Sequence, residues 1–114
     1  MKKSNIKQFT GGWFVGDFEP SIFKNPFFEV GHHSHKKNDQ TFPHYHQVTN
    51  ELNYIVRGEM MVDKKHLKAG DMWIYEPWDI SDVEFLEDTD LMIIRWPSIP
   101  VSYTHLRAHE TPAN

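Results

Sequence analysis

The sequence predicts an all-β protein of one domain, an antiparallel sandwich or barrel. Three observations carry this expectation. No long segment keeps apolar residues at helical spacing. The apolar runs are short and dominated by valine, isoleucine, phenylalanine, tyrosine and tryptophan, which suit a pleated, half-buried surface. Turn-forming residues separate these runs at regular intervals, the pattern of a small β-architecture. At 114 residues, 39% of them hydrophobic and 14% aromatic, the chain has enough material for one modest core and not for two.

The elements follow in order. The stretch "GGWFVGDFEPS" (11–21) sets aromatics between glycines, suited to an N-terminal strand or arm that covers a sheet edge or swaps between subunits. Residues 1–26 are therefore read as arm and strands, and 27–100 as the body of the domain. A strand is expected in "FFEVGHHSHK" (27–36), ended by Lys37-Asn38-Asp39. Residues 51–77 read as strand, Gly58, strand, a tight Asp63-Lys64-Lys65 turn, Gly70-Asp71 and another strand. After Pro77 come "DVEFLED" (82–88) and "LMIIRW" (91–96), joined by an acidic turn.

Composition excludes several functions. Twelve basic residues against 16 acidic ones give a net charge of −4, which repels phosphate backbones and argues against nucleic acid as a partner. There is no cysteine, hence no disulfide, thiolate metal site or thiol nucleophile. The basic N-terminus lacks the apolar core of a secretory signal, and no apolar run reaches the ~20 residues of a membrane helix. A cytoplasmic protein without membrane contact is expected. From Val101 onward the strand pattern stops. "SYTHLRAHET" (102–111) closely resembles a peptide that recurs at the ends of assembled metagenomic reading frames, where it looks like translated adapter or vector sequence. Residues 101–114 are accordingly read as a non-native tail, and His105 and His109 carry no functional weight.

The chemistry gathers in "FPHYHQVTNE" (42–51). On a strand His44 and His46 present their imidazoles on one face, with Tyr45 on the other. Glu51 opens the next apolar run and can return beside them. Two imidazoles and a carboxylate on one side of a cation suit Fe, Mn, Ni or Zn as divalent ions and leave positions open for water or substrate.

The spacing His44-x-His46-x4-Glu51-x6-Gly58 resembles the first motif of the cupin superfamily, G-x5-H-x-H-x3,4-E-x6-G. Asn38 stands at the leading glycine, and asparagine tolerates positive φ. The second motif, G-x5-P-x-G-x2-H-x3-N, is recognisable from Gly70 and Pro77 but damaged: six residues separate them, Asp79 stands for the glycine and Leu86 for the asparagine. The expected histidine falls on Asp82 counted from Pro77, or on Ser81 counted from Gly70.

The resemblance implies a cupin-type antiparallel β-barrel, related to the jelly roll, with a divalent transition metal held by His44, His46 and Glu51, and Asp82 as a fourth ligand. It further implies a small-molecule ligand and a homodimer. Three functions remain open: a metal-dependent enzyme, a metal-free binding module for a sugar or other metabolite, and a metal-free sugar-nucleotide isomerase with a histidine base. Asn53, on the face of Glu51, and Trp78, beside the Pro77 turn, are candidates for the pocket wall. His33 and His35 share a strand face and are candidates to shape the pocket or carry protons beside it. Tyr54 is placed on the opposite face, in the core, and His66 in solvent.

Overall fold

The computed structural model describes residues 1–98; the tail at 101–114 lies outside them. Two single-turn 3-10 helices, Ile6–Gln8 and Thr10–Gly12, lead into nine strands. These are β1 (Trp13–Gly16), β2 (Phe23–Lys24), β3 (Glu29–His35), β4 (Asn50–Arg57), β5 (Glu59–Val62), β6 (Lys65–Lys68), β7 (Met72–Tyr75), β8 (Val83–Phe85) and β9 (Thr89–Trp96). Six form one sheet in the order β2-β1-β3-β9-β4-β7, and three form a second, β6-β5-β8. The all-β expectation holds, and the strands at 29–35, 50–57 and 89–96 fall where the apolar runs place them. Among the described residues the sheets pack as two layers and are not hydrogen-bonded into a closed barrel. Within the N-terminal stretch, β1 pairs antiparallel with β3 in the large sheet.

Strand alternation sorts the residues. In β9, Leu91, Ile93 and Arg95 are buried while Met92, Ile94 and Trp96 are only half-buried. The core lies between the sheets, where Ile55 from β4 meets Met60 and Phe85 from β5 and β8, each at most 1% exposed. Burying each side chain contributes about 1.5–3 kcal/mol. The opposite face of the large sheet is also apolar: Tyr54, Met72 and Ile74 stand on it, all exposed. Tyr54, expected in the core, is thus on the outer surface at 37% exposure, because period-two alternation from Glu51 turns it outward and none of the described residues forms a layer over that face.

Turns obey their residues. Asp63 and Lys64 both have positive φ (49° and 68°), which matches the right-handed twist of the two-residue β5–β6 hairpin. Asn38, at the motif's leading position, has φ 68°. Gly58 is the single residue between β4 and β5, where the chain leaves the large sheet for the small one. Its φ is 109°, and a Cβ there would lie 2.4 Å from Thr89 Oγ1 and 2.5 Å from the Asp88 carbonyl oxygen. Gly58→Ala is expected to destabilise the fold by about 1–3 kcal/mol, read as a lowered midpoint in urea denaturation. An unchanged midpoint would mean that neither the positive φ nor the close approach of Thr89 requires a glycine at the motif's final position.

Candidate functional site

Register across the large sheet builds the site. Glu29 on β3 pairs with Arg95 on β9, Arg95 with Glu51 on β4, and Glu51 with Tyr75 on β7. One row of the sheet therefore sets a guanidinium between two carboxylates, all three groups within 4% of complete burial. Arg95 Nε donates to Glu51 Oε1 at 2.6 Å, and Nη1 lies 3.7 Å from Glu29 Oε2. The other Glu29 oxygen accepts from Ser98 Oγ at 3.1 Å. The next row reads Gly31, Ile93, Asn53 and Trp73. Gly31 leaves space that the Trp13 ring fills, since a Cβ there would sit 2.8 Å from the indole. The Trp13 ring in turn lies under the guanidinium, 4.7 Å from Cζ, a cation–π contact that holds Arg95 from its remaining side.

The histidines arrive from a loop. His44 is fixed by a β-bridge to Ser81, with His44 N–H donating to the Ser81 carbonyl at 3.2 Å and Ser81 N–H returning to His44 at 2.7 Å. The His46 carbonyl accepts from Trp78 N–H at 2.8 Å. The two imidazoles meet edge to face, ring centres 5.4 Å apart. His46 Nε2 lies 3.4 Å from Glu51 Oε1, and Asn53 Nδ2 donates to Glu51 Oε2 at 2.9 Å. His44 Nδ1 is 3.2 Å from the Phe42 carbonyl.

These groups open onto a cavity of about 220 Å³ between the sheets. His44, His46, Glu51, Asn53, His33 and His35 all line it, so the structure brings together most of the residues singled out in the sequence. His35 stacks on Phe85 at 4.2 Å, and His33 packs edge-on against Trp13 at 5.1 Å. Asp82 does not join them. It is exposed and borders a separate surface depression with Lys64 and Glu84, because Ser81 takes the inward position in the bridge and its neighbour must face out. The count from Gly70 thus identifies the inward residue. Trp78 is likewise outside, 63% exposed and stacked on Tyr45, with its backbone in the left-handed region (φ 76°). The indole in the wall is Trp73, and the tyrosine in the wall is Tyr75.

Sequence reasoning passed over Arg95, Glu29, Trp73 and Tyr75. The signal for Arg95 was present: it is in phase with Leu91 and Ile93, so a strand that buries those two must bury the arginine. Glu29 is in phase with Gly31 and His33 in the same way.

Burial and charge set the protonation states. Glu51 is held well below the ordinary carboxylate range: burial pushes its pKa up, but the Arg95 charge and the bonds from His46 and Asn53 outweigh it. His46 is lowered from 6.5 chiefly by burial, with Arg95 adding to the effect and Glu51 opposing it. His35 is lowered by burial, partly offset by Asp39.

A divalent metal was the expected occupant, and the donor set does not fit one. The Glu51 carboxylate already neutralises a guanidinium at 2.6 Å and accepts from an amide on its second oxygen. Among the described residues no three His, Cys, Asp or Glu side chains converge to hold a metal ion. A cation placed on Glu51 would have to share that carboxylate with a guanidinium already bonded to it.

A doubly layered antiparallel fold with its inner pocket and paired histidines at the mouth defines the class: this chain has the cupin fold. No protein-family model matches it, and no curated protein does. Solved structures share its shape. KdgF from Halomonas sp. superposes with a TM-score of 0.62 and 20% identity, over 66% of this chain and 73% of that one. An RmlC-like cupin from Shewanella frigidimarina gives 0.59 and 22%, over 65% and 69%. Salicylate 1,2-dioxygenase from Pseudoaminobacter salicylatoxidans gives 0.54 and 16%, over 61% of this chain but only 21% of the enzyme. Among the described residues, no helix is long and apolar enough to cross a membrane.

The lowered histidines make a prediction. The unfolded chain binds their protons near 6.5 and the folded chain only below that, so unfolding takes up protons and stability falls as pH drops through 6.5. Glu51 contributes stability that is full above about 4.5 and lost on further acidification. The urea midpoint should decline from pH 8 to 5, then more steeply, and His46→Gln should flatten part of the first decline. A midpoint constant from pH 8 to 5 would show that His35 and His46 titrate alike in the folded and unfolded chain.

Proposed function

We propose that the protein is a cupin-fold binding protein that takes up a small polar metabolite in the pocket between its sheets, without a metal. Arg95 supplies the positive charge that a divalent cation supplies to two imidazoles and a carboxylate. The observation that carries this reading is the buried Arg95 Nε–Glu51 Oε1 bond of 2.6 Å. With the carboxylate so engaged, His44, Asn53 and Ser81 are among the polar groups of the lining that can orient a ligand, in a cavity below the ~300–1,000 Å³ of drug-sized sites. Fold likeness to KdgF and to a dioxygenase extends to architecture only, and function rests on the site.

One observation favours a second reading, a metal-dependent enzyme. His46 Nε2 and Glu51 Oε1 are 3.4 Å apart, and His44 turns Nδ1 toward the Phe42 carbonyl, which leaves Nε2 as its other face. Elemental analysis separates the two. After expression with iron, manganese, nickel and zinc and removal of loose ions, the protein should carry far less than one equivalent of metal. A full equivalent that disappears in His44→Ala would establish the metal reading instead. A panel of small polar metabolites should contain compounds that raise the thermal midpoint of the wild type and do so less in His44→Ala; a ligand at 100 times its Kd adds about 2.7 kcal/mol. If none shifts the midpoint, the binding reading fails.

A further inference from the structure

The wall that β7 gives to the pocket carries two hydrogen-bond donors that the described protein does not use. Trp73 and Tyr75 are two residues apart on one strand face, their rings perpendicular with centres 6.2 Å apart. Tyr75 is 7% exposed. Its hydroxyl and the Trp73 Nε1–H are both buried with no hydrogen-bond partner among the described residues. Ser81 and Trp73 come near enough to the Tyr75 hydroxyl to favour its phenolate, against the larger effect of burial, but neither is placed for a hydrogen bond. Buried polar groups without partners are rare, and two in one pocket wall call for a common explanation.

Resting on the binding reading above, we infer that Trp73 Nε1–H and Tyr75 O–H together receive the oxygen of a neutral carbonyl compound: a ketone, aldehyde, ester, lactone or amide. An indole N–H only donates, so its partner must be an acceptor. Charge narrows the acceptor. The cavity lining holds one guanidinium, Arg95, and Glu51 already neutralises it at 2.6 Å, so a further anion finds no unbalanced positive charge there and an uncharged oxygen needs none. The rest of the lining sets the body of the ligand. Met60, Phe85, Leu91 and Ile93 form an apolar floor, and the cavity of about 220 Å³ limits the ligand to metabolite size.

The test uses the full chain labelled with ¹⁵N and reads the indole N–H resonances of its four tryptophans. Trp73 is assigned by the signal missing from Trp73→Phe. Three probes of similar shape are titrated: cyclohexanone, methylenecyclohexane with CH2 in place of the oxygen, and cyclohexanecarboxylate. Cyclohexanone should move the Trp73 indole proton downfield and bind more tightly than the other two. Tyr75→Phe should weaken cyclohexanone about three- to tenfold, the worth of one neutral hydrogen bond, and leave methylenecyclohexane unchanged. The comparison of ketone with alkene in the wild type needs no variant, so it stands even if Tyr75→Phe does not fold. Equal binding of ketone and alkene with the Trp73 proton unmoved overturns the inference and leaves the pocket reading intact, the donors then serving water alone. Preference for the carboxylate overturns the neutral class. If no probe perturbs any resonance from the pocket, the inference falls together with the binding reading.

Discussion

The guanidinium of Arg95, closed in between Glu29 and Glu51, is the constraint around which the interior is arranged. It lies in a row that crosses β3, β9, β4 and β7, and each strand contributes one side chain to it. An isolated charge at this depth would be untenable; paired, it holds together and becomes costly to disturb. The second row serves the first. Gly31 is a glycine so that the Trp13 ring can slide beneath the guanidinium, and Asn53 occupies the Glu51 oxygen that Arg95 leaves. The N-terminal strand is thereby tied to the site, because Trp13 belongs to β1.

The same triad gives the motif's carboxylate a partner that the motif itself does not specify. The first motif places two imidazoles and a carboxylate at a common mouth, as the spacing requires. What the motif does not specify is the partner of the carboxylate. In this chain that partner comes from β9, 44 residues beyond Glu51 in sequence. A ligand set and an ion pair can be written with the same three motif residues, and the residue that chooses between them lies outside the motif.

Much of the fold was legible because strand alternation and turn chemistry are local. Gly58 and Asn38 declare their backbone conformation through residue type, and the Asp63-Lys64 hairpin is marked by its place between two apolar runs. His33 and His35 were placed on one face by counting in twos, and they line the pocket together. The misplacements of Asp82 and Trp78 share an origin, the place where the chain turns rather than continues. Between Pro77 and Val83 no strand sets the phase, so a one-residue ambiguity put Asp82 inward instead of Ser81, and adjacency to the proline favoured Trp78 over Trp73. Arg95 and Glu29 were missed for a different reason: a charged residue in phase with a core is easily read as lying at a strand end, and only the partner strand shows that it is enclosed. Closure of the two sheets was inferred from resemblance and is a long-range property that no local pattern encodes.

The bridge between His44 and Ser81 has a consequence for the cavity wall. Two reciprocal backbone bonds join the histidine loop to the segment after Pro77, and the Trp78 N–H adds a third at His46. Outside, the Tyr45 and Trp78 rings lie one on the other like two halves of a clasp. The left-handed turn at Trp78 is what allows its amide to aim at His46 while its ring reaches Tyr45. Two loops fastened in this way cannot behave as independent flaps. They are joined into one piece that carries His44, His46 and Ser81 to the cavity wall together.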